Sequence, residues 1–191
     1  MNTVDPIRDE EYLEDFKDHF KNHGGKYGER NYVLFMSGIY LGRRVGDLLK
    51  LKIRHIRNQD YIYFREEKTN KEVKVVINPE LKRIYKKYVQ GKKGHEYLFK
   101  SREGENKPIT RQQAWNILNK AAKEIVYDEK IGCHSLRKTF GYWLDKNGVS
   151  IMVIKDLFNH SSVDITKRYI GLNQDSKDEA INGLSFSKKK R

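Results

Sequence analysis

The stretch from Gly28 to Leu41 constrains the fold more than any other. Its later part, Tyr32, Val33, Leu34, Phe35, Met36, Ile39, Tyr40 and Leu41, is apolar nearly all round, so a helix there has no face to give to water. It must be central and buried, and Gly42 ends it. The segments before and after it carry one apolar side each. Asp9 to His23 reads as a helix entered through Asp5-Pro6, with Leu13, Phe16 and Phe20 inward and Gly24-Gly25 as its stop. Val45, Leu48 and Leu49 turn inward on a short helix that starts near Arg43 and Arg44, with Asp47 placed to brace Arg44.

The period then changes. Tyr61-Ile62-Tyr63-Phe64 and Val73-Lys74-Val75-Val76-Ile77 alternate as strands and flank a polar run, which predicts a β-hairpin with Lys68 near its tip. Pro79 opens a helix to about Gln90 whose outer side is basic, and the loop Gly91-Lys92-Lys93-Gly94 follows. The spacing of Trp115, Leu118, Ala122 and Ile125 predicts an amphipathic helix from Arg111 to Ile125 with those four inward. The expected fold is therefore mainly α with a small antiparallel β-hairpin. With no internal repeat and no long linker, residues 1–185 read as one domain and 186–191 as a disordered basic tail.

Charge decides the class of partner. Lys and Arg total 39 against 26 acidic residues, a net charge of +13, which favours a polyanion, nucleic acid ahead of membrane surface. No apolar run approaches a membrane span, the acidic start is not a signal peptide, and a lone cysteine excludes an internal disulfide, so a cytoplasmic, DNA-associated protein is expected. His19 and His23 share a helix face without a third ligand, no acidic cluster suggests a two-metal site, and no metal or other cofactor is expected. Cys133 beside His134 reads as packing, since adjacent residues point apart on a helix.

The chemistry concentrates near the C-terminus. Leu136, Phe140, Trp143 and Leu144 bury one side of a helix from His134 to Asn147, while His134, Arg137 and Gly141 line another and form an anion seat that no side chain blocks. Ser150 caps a short helix that ends at His160. A second runs from Ser162 to Tyr169 and leaves Tyr169 at its C-terminus, free to swing.

Together these residues resemble the catalytic domain of the tyrosine recombinases, the phage integrase family. Gly42-Arg43-Arg44-Val45-Gly46-Asp47-Leu48-Leu49 is similar to the family's first arginine box, His134 to Arg137 to its His-x-x-Arg box, and Asn159-His160 to its second histidine box; Tyr169 falls at the nucleophile and Lys68 at the hairpin lysine, with Lys71 and Lys74 as alternatives. Asp47 stands for the usual glutamate, Asn159 for glycine, and Lys138 where many members carry histidine. The resemblance runs from Pro6 to Leu184, without the N-terminal helical domain that closes most members around DNA. It implies either a minimal recombinase assisted by a partner or accessory clamp, or the catalytic piece of a longer protein.

The resemblance also implies roles. Arg44 and Arg137 clamp the scissile phosphate, His160 hydrogen-bonds it, His134 takes the Tyr169 proton, and Lys68 protonates the leaving 5′ oxygen, giving a 3′-phosphotyrosyl bond without ATP or metal. The segment Ala180-Ile181-Leu184 resembles the helix that members pass to a neighbouring subunit in a tetramer on double-stranded DNA. Arg43, Lys71, Lys92, Lys93, Arg111, Gln112 and Lys138 are the expected DNA contacts. A type IB topoisomerase and a non-cutting DNA-binding regulator on the same fold are the rival readings.

Overall fold

The computed structural model describes residues 4–65, 72–172 and 181–182. Among these residues, seven other named α-helices and a two-stranded hairpin surround one long buried helix. α1 (Glu10–Asp18) starts where the Asp9 carboxylate accepts from the Glu11 N–H, and one wide π-turn over 19–23 prolongs it. Its Phe16 stacks on Phe35 of α2 (Gly28–Leu41), with ring centroids 5.3 Å apart. α2 buries Val33 to Gly38 and Leu41, as its lack of a polar face demands, and Gly42 ends it in the left-handed conformation. Even its Ser37 is interior, donating to the Val33 carbonyl and paired with the Tyr85 hydroxyl at 2.8 Å.

α3 (Val45–Leu49) leads to the hairpin. β1 (Tyr61–Arg65) and β2 (Glu72–Val76) pair antiparallel, Tyr63 opposite Lys74, and only Ile62 and Phe64 of β1 reach the core. α4 (Pro79–Tyr88), capped by Asn78, lies against α2. α5 (Arg111–Glu124) opens on a reciprocal pair in which Thr110 and Gln113 satisfy each other's backbone N–H groups. Its buried residues are Ala114, Leu118, Ala121 and Ala122, whereas Trp115, expected inward, is exposed. Small alanines let α5 pack closely, and the bulky indole is turned out.

α6 (Cys133–Lys146) crosses α2, and α7 (Ile151–Phe158) and α8 (Val163–Ile170) fold back onto it. Ser150 and Ser162 cap these last two helices. Ile154, Phe158 and Ile170 form a second, smaller core here, with Phe140 and Leu144 against it. Gly141 belongs to this core and is not an open approach for an anion: a Cβ there would stand 2.6 Å from Ile170 Cγ2 and 2.7 Å from the Phe158 ring. Gly141→Ala should therefore cost about 1–3 kcal/mol by overpacking. Thermal melting checks this, at about 2–4 °C per kcal/mol for a chain of this length. Of the expected C-terminal helix only Ile181 and Asn182 are described, both helical and exposed. Ala180, Leu184 and the tail lie outside the described residues.

Candidate active site

Four elements meet beneath the bend between α2 and α3. Arg137, on α6, is 2 % exposed; its guanidinium donates to the Gly42 carbonyl at 2.6 Å and to the Phe158 carbonyl at 2.9 Å, and lies over the Phe158 ring. It thereby ties the end of α2 to the end of α7. One turn earlier on α6, exposed His134 turns Nδ1 toward the Tyr169 hydroxyl at 3.4 Å. That is long for a hydrogen bond, as catalytic contacts often are before substrate tightens them.

His160 follows Asn159, which ends α7 in the left-handed conformation, and its Nδ1 pairs with Thr166 Oγ1 at 3.0 Å. Thr166 in turn donates to the Ser162 carbonyl, so the cap of α8 fixes the imidazole ring. The His160 and Tyr169 rings meet edge to face at 5.2 Å, and Phe158 closes on Tyr169 at 5.5 Å. Tyr169 is thus enclosed by neighbouring rings at the end of α8, not free as the sequence suggests.

Charges converge on the same spot. Although its ring is open to solvent on one side, partial desolvation by the packed neighbours lowers the His134 pKa, and Arg137, Arg44, Lys138 and Arg111 lower it further. Burial, then Arg137 and Arg44, lower that of His160. Both rings therefore favour the neutral form, the one able to accept a proton. Burial raises the Tyr169 phenol, against the opposing pull of Arg137 and Arg44. Two guanidiniums acting on one phenol, with neutral imidazoles beside them, make a site suited to an anion. Because the unfolded chain binds these imidazole protons at higher pH than the folded one, stability rises with pH below the ordinary value near 6.5. Melting at pH 5.5 should come earlier than at pH 7.5, and His160→Gln should reduce that difference in part, since His134, His19 and His55 shift in the same direction.

The structure brings Arg44, His134, Arg137, His160 and Tyr169 together. Arg44 precedes α3 and is partly exposed, and Asp47, 4 % exposed, donates its backbone N–H to the Arg44 carbonyl at 2.9 Å. Arg43 does not join them. Expected as a DNA contact, it is instead 2 % exposed and donates to the interior Leu157 carbonyl. Lys138, expected as an exposed DNA contact, is likewise buried, with its Nζ over the Tyr169 ring. Arg111 and Gln112 are exposed at the start of α5, with the Arg111 guanidinium over Gly46. Lys93 is exposed and Lys92 stacks on Tyr88, both apart from this cluster. Lys68 and Lys71 lie outside the described residues, while Lys74 sits over the Tyr61 ring.

Burial raises the Cys133 thiol, which disfavours thiolate chemistry there. Sequence reasoning missed Thr166 and Phe158. Thr166 is fully buried on α8, and nothing in the local pattern from Val163 to Ile170 marks it as a partner of His160.

The profile of the Phage integrase family matches residues 9–176. The probable integrase/recombinase YoeC of Bacillus subtilis is 39% identical over 176 residues, 92% of this chain and 94% of that protein. The crystal structure of XerA recombinase superposes with a TM-score of 0.75 at 21% identity, covering 97% of this chain and 66% of that one. The Tn1549 transposon integrase in complex with a circular intermediate DNA superposes with a TM-score of 0.69 at 17% identity, covering 96% of this chain and 67% of that one. The chain thus spans nearly all of YoeC and about two thirds of the two solved structures.

Proposed function

The chain belongs to the phage integrase family, the tyrosine recombinases, and from that premise we propose that it cuts and rejoins double-stranded DNA at specific sites through a 3′-phosphotyrosyl intermediate. The observation that carries this reading is the Tyr169 hydroxyl 3.4 Å from His134 Nδ1, with Arg44 and Arg137 acting on the same phenol. An isolated phenol, with a pKa near 10, is a weak nucleophile at neutral pH and needs both a proton acceptor and a polarised target.

His134 takes the phenol proton as the Tyr169 oxygen bonds to phosphorus. The P–O5′ bond breaks, and Lys68 protonates the departing 5′ oxygen. Arg44, Arg137 and His160 stabilise the charge that grows on the non-bridging oxygens, and Asp47 braces Arg44. Attack by a second strand's 5′ hydroxyl reverses the steps, so the phosphodiester energy is kept in the phosphotyrosyl bond. Arg111, Gln112, Lys71, Lys92 and Lys93 contact the duplex, an assignment in keeping with the net charge of +13. Residues 1–185 form the catalytic domain, which assembles as a tetramer on DNA through the segment around Ile181, with an accessory protein supplying a clamp.

The test is a covalent trap: closely nicked random-sequence duplexes incubated with the protein and scored for detergent-resistant adduct. Adduct formation supports the reading, and sequencing the trapped DNA reveals the site. Specific DNA binding with no adduct on any duplex would favour the regulator.

A further inference from the structure

One charged group touches the Tyr169 ring and takes no part in the steps above. Lys138 follows Arg137 on α6, yet is only 8 % exposed, and its Nζ lies over the Tyr169 ring, 5.5 Å from the centroid. A lysine withdrawn from water needs a compensating environment. Besides the ring, the segment ahead of α1 provides one. The Ile7 N–H donates to Thr139 Oγ1 at 2.8 Å, and Trp143 Nε1 donates to the Ile7 carbonyl at 2.9 Å, which straps residues 5–8 along α6. The strap's charged residues, Asp5 and Arg8, stand 3.9 Å apart.

The same strap reaches the end of the nucleophile's helix. A Cβ on Gly171, which caps α8, would stand 2.7 Å from Arg8 Nη2 and 3.7 Å from Pro6 Cγ. The strap thus borders both Thr139, the residue after Lys138, and Gly171, two residues after Tyr169.

We propose that Lys138 is a positioning residue for Tyr169: its ammonium, set between the 5–8 strap and the phenol ring, holds that ring against His134, and the strap determines how firmly it is held. The inference rests on Tyr169 being the nucleophile. Electrostatics agree with the geometry: burial lowers the Lys138 pKa, Asp5 raises it and Arg8 lowers it, so the strap's two charges act on this ammonium in opposite directions. Lys138 also acts on His134, favouring its neutral form. A cation over a ring in a desolvated setting biases ring placement by an amount on the order of tenfold.

The test needs no cognate DNA site for its first arm. The full chain is labelled with 3-fluorotyrosine, the Tyr169 ¹⁹F resonance is assigned by its absence in Tyr169→Phe, and wild type is compared with Lys138→Met, Lys138→Arg and Asp5→Asn. Lys138→Met should move the resonance toward the solvent-exposed position and make it more sensitive to a soluble relaxation agent; Lys138→Arg should restore it, and Asp5→Asn should shift it part of the way. In the second arm, initial adduct formation on nicked duplex should fall about tenfold in Lys138→Met, with its acid limb moved to higher pH, and recover in Lys138→Arg. An unmoved resonance in both Lys138→Met and Asp5→Asn overturns the proposal. Should Lys138→Met fail to fold, Asp5→Asn decides alone. Absence of adduct from wild type counts against the enzymatic reading, while the resonance still decides the contact.

Discussion

An Arg137→Ala protein is expected to lose its chemistry and much of its stability together. The guanidinium is 2 % exposed and satisfies the carbonyls of Gly42 and Phe158 while lying over the Phe158 ring. Truncation strands both carbonyls at about 1–3 kcal/mol each and opens a cavity beside the second core, a total on the order of 3–5 kcal/mol. It also removes a cation that acts on both His160 and Tyr169. Losing such a charge where transition-state charge develops costs about 10²–10³ in rate. Arg137→Lys should recover part of the stability and little of the rate, because one ammonium cannot fork to two carbonyls and a phosphate. Urea unfolding and the initial rate of adduct formation measure the two effects separately.

Tyr169→Phe is expected to do the opposite, sparing the fold and removing the reaction. The ring keeps its edge-to-face contacts with His160 and Phe158, and only the hydroxyl facing His134 is lost. Melting should change by about 2 °C or less, the scale of a substitution worth under about 0.5 kcal/mol. Adduct formation should fall by a factor of at least about 10³, since no nucleophile remains. DNA affinity should stay within about twofold, because it comes from cations meeting phosphates and not from the phenol. A gel-shift titration beside the denaturing gel distinguishes this outcome from a general loss of binding.

The helical frame was legible because its punctuation is local. Gly28 and Gly42 bound α2, and Ser150 and Ser162 cap α7 and α8, each through an N–H its own side chain satisfies. Trp115 shows where local reading ends. Around the α5 helix, a stripe through Trp115 and Ile125 and one through Ala114 and Ala121 differ by only about a fifth of a turn, and bulk favours the first. The close approach of neighbouring helices selects the second, and no property of α5 by itself records it.

The site was legible as a set of residue types in order, less so as places. Arg43 and Arg44 are chemically identical, and only the turn at Gly42 sends the first to the Leu157 carbonyl. Lys138 looked like a surface cation because lysines usually are. On its helix, Thr139 and Trp143 hold a segment from near the other end of the chain, a pairing that no local pattern records. Thr166 is invisible as a partner of His160 until α7 and α8 are folded against each other.

The central claim, that Tyr169 becomes covalently joined to DNA, is tested most directly by mapping the link itself. Wild-type adduct trapped on nicked duplex is digested with nuclease and trypsin, and the nucleotide-bearing peptide is sequenced by mass spectrometry. The expected result is a phosphonucleotide on Tyr169, the first residue of the peptide that follows Arg168. A nucleotide on any other residue would contradict it.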